Sequence, residues 1–321
     1  MLVFKARRRR SPMASPALTN SQRRIMKMIS TAMEQVRAGT IENEGKILDA
    51  LMHSTPDKVA SLIPIDPWLD IQPGLQDELL TELRHAGSAV KLPPVEKARV
   101  FYTFDGTRPE AAQWAAKEAG LLIREVTEEQ RAMVRGFVSR AQMGEMDVRQ
   151  VARQLRDVVG LTEQQSQWVE NHRNSRISEL MRDKGMTFDQ AFEASNASTA
   201  RYQARVHKMR TETIARTETL RAARNGQQQA FAQAQEQGFM QFTVLEWSTS
   251  EDDRVCEICG PLNGVQIPLT GQFPGIDDWT EGAHINCRCE AIPVDMPPDG
   301  DLAALSDDEL YDLMENLIQN G

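Results

Sequence analysis

All four cysteines of this 321-residue chain lie within 34 consecutive positions, in the stretches VCEICG (255–260) and AHINCRCE (283–290). The first stretch is a C-x2-C pair, in which a tight turn can bring two sulfurs to one ion. The second stretch has the spacing H-x2-C-x-C. Both spacings are typical of zinc sites, in which sulfur and imidazole ligands surround the ion as a tetrahedron. The candidate ligands are Cys256, Cys259, His284, Cys287 and Cys289.

Five candidates compete for four places around a tetrahedral ion. Either all four cysteines bind, or His284 replaces one member of the C-x-C pair. A closed set of four protein ligands leaves no coordination place for water, so the predicted zinc ion is structural rather than catalytic. It would hold together strands that are individually too short to bury a core.

Other interpretations of the cysteines are two disulfides or a set of reduced, metal-free buried thiols. We expect a protein made in a reducing cytoplasm, since the sequence shows neither a secretory signal nor an apolar run long enough to span a membrane. In that compartment paired cysteines more often hold metal than form disulfides. His284 and Asn286 beside a C-x2-C pair also suggest an HNH-type nuclease, but EAIPVDMPPDGD lacks the further His or Asn that such a site needs.

The elements around the cysteines are predicted to be short strands that follow a long helical region. FMQFTVLEWS alternates apolar and polar residues, and GVQIPL and CEAIPV are two further strands. Aromatic residues make up only 6 % of the chain, which favours helices over a β-sandwich. Thr127–Gln130, Thr162–Gln165 and Thr187–Gln190 have the spacing of helix capping boxes. ARVFYTFDG (98–106) predicts one more short strand.

The predicted fold class is α+β, mainly α, with a helical body and a small zinc-stapled β-rich module near the C-terminus. The predicted segments are a basic flexible arm (1–24), a helical N-terminal region without an assigned role (25–110), a second helical part (111–240), the β-rich cysteine module (241–294), and an acidic linker with an amphipathic helix (295–321). In the last segment Leu310, Leu313, Met314, Leu317 and Ile318 form one apolar stripe.

Charge is distributed unevenly around the net value of −9. Residues 1–24 carry seven bases and no acid, and residues 295–321 carry eight acids and no base. Residues 197–226 carry seven bases and two acids. Basic segments of this kind can bind the phosphates of nucleic acid, and an acidic tail suits a protein partner. The candidate DNA contacts are Arg7, Arg8, Arg9 and Arg10.

A short repeat lies within the basic helical region, where RTET at 210–213 recurs at 216–219. Six residues correspond to about 600° on an α-helix, so the two copies point in different directions. They are therefore not two copies of one site. We expect exposed i,i+4 charge pairs along the helix, and the alternative is a polar residue with a specific buried partner.

Several of these motifs, in their order and spacing, resemble the Mu F-like phage head morphogenesis domain, found in minor head proteins of tailed bacteriophages. The resemblance covers roughly residues 120–293. The residues that carry it are IARTET (214–219), Asn225, Trp247, DDRVCEICGPLNG (252–264) and HINCRC (284–289).

This resemblance implies a virion protein that is made in the host cytoplasm and located in the capsid interior near the portal. Its implied partner is the phage portal protein, and the major capsid or scaffolding protein and the viral DNA are further candidates. Such proteins enter the assembling head in a few copies and can accompany the DNA when it is ejected. We expect no enzymatic activity and no membrane partner. The alternative is a DNA-processing nuclease that acts during packaging with His284 as its base.

Overall fold

The computed structural model describes residues 19–90, 102–143, 151, 155, 158–239, 243–249 and 255–295. Within these residues the protein is mainly helical, with one small antiparallel sheet near the C-terminus. The predicted fold class is therefore confirmed. The basic arm up to residue 18, Arg7–Arg10 included, and the amphipathic segment at 306–320 lie outside the described residues.

The described helices differ widely in length. They are α1 (Asn20–Glu42), α2 (Glu44–His53), α3 (Pro56–Ala60), α4 (Asp66–Asp70), α5 (Gln72–Ala89), α6 (Pro109–Gln142), α7 (Glu163–Lys184) and α8 (Phe188–Glu236). The proline-rich stretch between α2 and α5 contains two short helices with proline in the first turn, where the missing N–H costs no hydrogen bond.

Two of the three predicted capping boxes are present. At the start of α7 the Thr162 hydroxyl accepts from the Gln165 N–H at 3.2 Å, and the Gln165 side chain accepts from the Thr162 N–H at 3.2 Å. Thr187 and Gln190 make the same exchange at the start of α8. In both cases the sequence signal is local, because the motif satisfies free N–H groups of its own first turn.

The third predicted capping box is wrong. Thr127 and Gln130 lie inside α6, where the Thr127 hydroxyl donates to the Arg124 carbonyl at 2.9 Å. Gln130 is buried, and its side-chain oxygen accepts from the indole N–H of Trp68 at 3.1 Å. The motif therefore serves a contact between distant parts of the chain instead of a helix start.

The sheet has the strand order β2-β1-β3, and both pairings are antiparallel. Its strands are β1 (Thr243–Ser248), β2 (Gln266–Pro268) and β3 (Glu290–Asp295). Leu245 of β1 pairs with Ile267 of β2 and with Pro293 of β3, so β1 is the central strand. All three strands were predicted, whereas residues 102–106 of the fourth predicted strand are irregular.

The chain divides into two compact units. One contains Leu79–Trp114 and the chain from Arg216 onward, including the sheet and the cysteine stretches. The other contains Gln22–Glu78 and Ala115–Ala215. No described helix is both long and apolar enough to cross a membrane.

The RTET repeat is largely buried, in contrast to the expectation of exposed charge pairs. Thr211, Thr217 and Thr219 are all buried. Glu218 is 4 % exposed and accepts from the Arg221 guanidinium at 3.2 Å. Arg210 is 7 % exposed and pairs with Glu129. Burial of these groups is tolerated because they have partners, that of Arg210 on α6 and that of Glu218 on α8 itself, which the repeat does not reveal.

Candidate metal centre

The first pair of candidate ligands lies on a tight turn between β1 and β2. The Gly260 N–H donates to the Cys256 carbonyl at 2.9 Å, and the Cys259 N–H approaches the Cys256 sulfur at 3.4 Å. A single 3-10 turn, Gly260–Leu262, follows. This arrangement turns both side chains of the C-x2-C pair toward one point, as a shared ion requires.

A second turn attaches this segment to the sheet. Asn263 has φ −60° and ψ 120°, Gly264 has φ 84°, and the Val265 N–H donates to the Leu262 carbonyl at 2.9 Å. These values define a type II turn, which requires positive φ at its third position and so favours glycine there. The Asn263 side-chain oxygen accepts from both the N–H and the hydroxyl of Thr249 at 3.1 Å, which fixes the turn beside the end of β1.

The second group of candidate ligands lies on the loop that leads into β3. The Cys287 N–H donates to the His284 carbonyl at 3.1 Å. Between them Asn286 has φ 64°, and its N–H donates to the Thr217 hydroxyl of α8 at 3.2 Å. A left-handed residue reverses the chain at this point, and asparagine tolerates that conformation better than most residues.

The structure brings all five predicted ligands together. Their donor atoms form two overlapping triads, Cys256/Cys259/His284 and Cys259/Cys287/Cys289, and within each triad the atoms lie within 4.8 Å of one another. The His284 Nε2 atom lies 3.1 Å from the Cys256 sulfur and 3.4 Å from the Cys259 sulfur. The Cys259 and Cys287 sulfurs are 3.7 Å apart. Cys259 therefore links the two triads.

These distances fit a tetrahedral metal site. With metal–sulfur bonds of about 2.3 Å, two sulfurs on a tetrahedron lie about 3.8 Å apart. The ring of His284 is also oriented for coordination, because its Nδ1 lies 2.8 Å from the Ile285 carbonyl oxygen. A carbonyl can only accept, so Nδ1 carries the proton and Nε2 presents its lone pair to the sulfurs. The cluster could therefore bind a metal ion.

The thiols of the second triad differ strongly in acidity. A hydrogen bond from the Cys289 thiol, supported by the charge of Arg224, lowers the pKa of Cys287 to about 4 against the opposing effect of burial. Burial and the negative charge of Cys287 together raise the pKa of Cys259 to about 12. Since metals bind thiolates, the lowered pKa of Cys287 favours its ligand form, and the raised pKa of Cys259 opposes it.

Arg224 is a residue of this site that the sequence analysis did not identify. Its side chain extends from α8 and is 1 % exposed. The Nε and Nη2 groups donate to the Cys289 carbonyl at 3.1 and 2.9 Å, and Nη2 also donates to the Cys287 carbonyl at 2.5 Å. In the sequence Arg224 follows Ala222 and Ala223, which the structure buries. Small residues on a helix indicate that another element packs closely against it, and this could have pointed to Arg224.

Gly282 leaves room for this guanidinium. It has φ 80°, and a Cβ at this position would lie 2.8 Å from the Arg224 Nη1 atom. The apolar layer beneath the site includes Trp247, which packs edge-to-face on Phe273 with ring centroids 5.0 Å apart. Cys259, Cys287 and Cys289 belong to the same buried cluster as these rings.

The predicted basic phosphate-binding helix is only partly exposed. Arg224 lies in the metal centre, and Arg221 pairs with Glu281 at 2.7 Å. Arg201, Arg205 and Lys208 are exposed on α8. Any contact that this helix makes with phosphate would thus use its N-terminal half.

Part of the chain matches a known protein family. Residues 192–292, which include most of α8 and all five candidate ligands, match the family described as phage Mu protein F like protein. The resemblance seen in the sequence is thereby confirmed for this stretch. No curated protein and no solved structure gives a significant match to the chain.

Proposed function

Since residues 192–292 carry a region of the phage Mu protein F like family, which indicates a phage head morphogenesis protein, we propose that this chain is a minor head protein of a tailed bacteriophage. It would join the assembling head, contact the portal protein and remain inside the virion. The observation that carries this proposal is the family match itself, because it contains the complete cysteine and histidine set.

The proposal includes one structural zinc ion held by Cys256, Cys259, His284 and Cys287. These four residues are connected by the short sulfur–nitrogen and sulfur–sulfur distances of the cluster, whereas Cys289 adjoins only Cys259 and Cys287. Such a set leaves no place for a water molecule, so the ion would supply no catalytic step and would instead hold the turns together.

Elemental analysis tests the metal proposal. Full-length protein purified without chelator should contain about one zinc ion per chain. Replacement of Cys259 by serine should abolish zinc binding, and Cys289→Ser should retain it. A well-folded, metal-free protein with four titratable thiols would contradict the zinc proposal, and a dominant effect of Cys289→Ser would contradict this ligand set.

The role in head assembly is tested by co-expression with the neighbouring head genes. Portal protein should co-purify with a tagged full-length chain, and the chain should be present in mature virions. Its absence from virions that are otherwise complete, together with no capture of the portal, would contradict the proposal. Detection of the chain in infected cells soon after adsorption would support ejection with the DNA.

A nuclease that uses His284 as its base is the second candidate, and the geometry argues against it. Both ring nitrogens of His284 already face partners, Nδ1 the Ile285 carbonyl and Nε2 the sulfurs of Cys256 and Cys259. A general base must instead reach the water or hydroxyl whose proton it takes. We therefore propose that the chain is not an enzyme, and a metal-dependent DNA cleavage assay on the zinc-loaded protein checks this.

A further inference from the structure

Arg224 is unusual because it is a fully buried cation whose hydrogen bonds go to uncharged groups. Three of its contacts end on the carbonyl oxygens of Cys287 and Cys289. Taking a guanidinium out of water costs several kcal/mol unless nearby charge and hydrogen bonds compensate for it. Burial lowers the pKa of Arg224, and the neighbouring Cys287 thiolate and Glu290 carboxylate oppose this effect.

The charge of the proposed centre explains why the cation lies there. One zinc ion with three thiolates and a neutral imidazole carries a net charge of −1, and the single positive charge of Arg224 balances it. Loss of the ion would release the sulfurs of Cys259 and Cys287, and so would free the loop whose carbonyls Arg224 holds. The buried arginine and the metal should therefore stabilise each other.

The hydrogen bonds add an orienting effect. The carbonyls of Cys287 and Cys289 are two residues apart and are held by the same guanidinium from the side of α8. Fixing both carbonyls defines the backbone on either side of Arg288, and so defines where the sulfurs of Cys287 and Cys289 can lie. Groups outside the ligand set that orient metal ligands in this way typically change metal affinity by about 10–100-fold when they are removed.

We propose that Arg224 is a positioning residue of the metal centre, which couples metal occupancy to the docking of α8 on the cysteine loop. This inference rests on the metal site of the proposed function. The packing of α8, the longest described helix, would then depend on whether the centre holds a metal ion.

Zinc affinity of the full-length chain, measured by competition with a chromophoric chelator, tests the inference. Arg224→Gln should weaken zinc binding about 10–100-fold. Arg224→Lys should lie between this variant and the wild type, because it keeps the charge but loses the planar fork. Arg221→Gln is the matched control. Arg221 lies one turn earlier on α8 and pairs with Glu218 and Glu281. The zinc affinity of the Arg221→Gln variant should differ from that of the wild type by less than about threefold.

Stability measured with and without zinc separates positioning from simple packing. Arg224→Gln should destabilise the zinc-loaded protein more than the metal-free protein. An equal loss in both states would overturn the inference, as would an unchanged zinc affinity.

If Arg224→Gln does not fold, hydrogen exchange of the wild type tests the coupling instead. Chelation should then speed exchange at residues 217–229 of α8, and unchanged exchange would overturn the coupling.

Failure of the inference can be told apart from failure of the metal site. If the wild type binds no zinc, both the metal centre and its coupling to Arg224 are wrong. If the wild type binds zinc tightly and Arg224→Gln binds it equally well, the metal centre stands and only the role of Arg224 is wrong.

Discussion

Gly226 of α8 lies so close to α5 that a Cβ on it would be 2.1 Å from the carbonyl oxygen of Leu83. The same atom would lie 3.1 Å from the backbone nitrogen of Gly87. Two helix backbones meet here without an intervening side chain. This contact fixes the part of α8 that carries Arg224, two residues earlier, and thus helps to place the metal centre.

Gly226→Ala should therefore destabilise the protein by at least about 2 kcal/mol, because a backbone carbonyl cannot move aside as a side chain can. In an exposed helix the same change would stabilise by up to about 1 kcal/mol. Gly45→Ala is the matched control, since Gly45 lies in α2 with nothing within 4 Å of a Cβ. Urea denaturation checks both variants, and equal effects would show that the close approach is not real.

Tyr102 should give the protein an alkaline-sensitive contribution to stability. Its hydroxyl donates to the Ala230 carbonyl of α8 at 2.7 Å, and burial raises its pKa to about 12 against the opposing charge of Arg108. Because the folded pKa is higher than the unfolded value of about 10, this contribution is complete below pH 10 and is lost as the pH rises to 12.

Tyr102→Phe should cost about 1 kcal/mol at neutral pH through the lost hydrogen bond. It should also remove the highest-pH step from the ultraviolet titration of the folded protein. Retention of that step in the variant would assign it to another of the three tyrosines and contradict the prediction.

Trp68 and Gln130 form a buried polar pair, with side chains that are 0 and 2 % exposed. Gln130→Leu should cost about 1–3 kcal/mol, because it leaves the buried indole N–H without a partner. Adding Trp68→Phe removes that unpaired group. The double variant should therefore lose less free energy of unfolding than the sum of the losses in the two single variants. Strict additivity in this double-mutant cycle would show that the hydrogen bond contributes nothing.

The sequence predicted those features that depend on neighbouring residues. The cluster of cysteines and His284 was predicted because its spacing is set by short turns, and the caps at Thr162 and Thr187 because each motif satisfies its own helix. Strand β1 was predicted from its alternation of apolar and polar residues, and β3 as a short segment between turn residues.

The missed features depend on partners that are far away along the chain. Arg224 binds carbonyls 63 and 65 residues later, and Gly226 is explained only by the backbone of α5. Thr127 and Gln130 matched a local motif, but the interior of a long helix and the distant Trp68 determine their contacts. A local pattern cannot distinguish these cases, because the deciding atoms are brought close only by the tertiary fold.

The amphipathic C-terminal segment, which lies outside the described residues, gives a prediction about recruitment. Its sequence predicts an apolar stripe that includes Leu313 and Leu317, and many of its other positions are acidic. A free helix of about 14 residues is marginal in water, so we expect it to bind a groove on another chain. Changing Leu313 and Leu317 together to Asp should leave the melting temperature nearly unchanged and abolish recruitment into heads. Unfolding several degrees earlier would assign the segment to its own core instead.

Asn286 distinguishes the structural interpretation of the HINCRC motif from the nuclease interpretation. In the structure its backbone is left-handed, with φ 64°, and its N–H donates to Thr217 of α8. Glycine adopts this conformation without strain and keeps the N–H. Asn286→Gly should therefore preserve zinc content, stability to within about 1 kcal/mol and incorporation into heads. A β-branched residue is strained there, so Asn286→Val should cost about 1–3 kcal/mol and weaken zinc binding.

If Asn286 were instead a nuclease residue, the glycine variant would lose DNA cleavage as completely as the valine variant while remaining folded. Zinc content, melting temperature and a cleavage assay on the three proteins decide between the two interpretations.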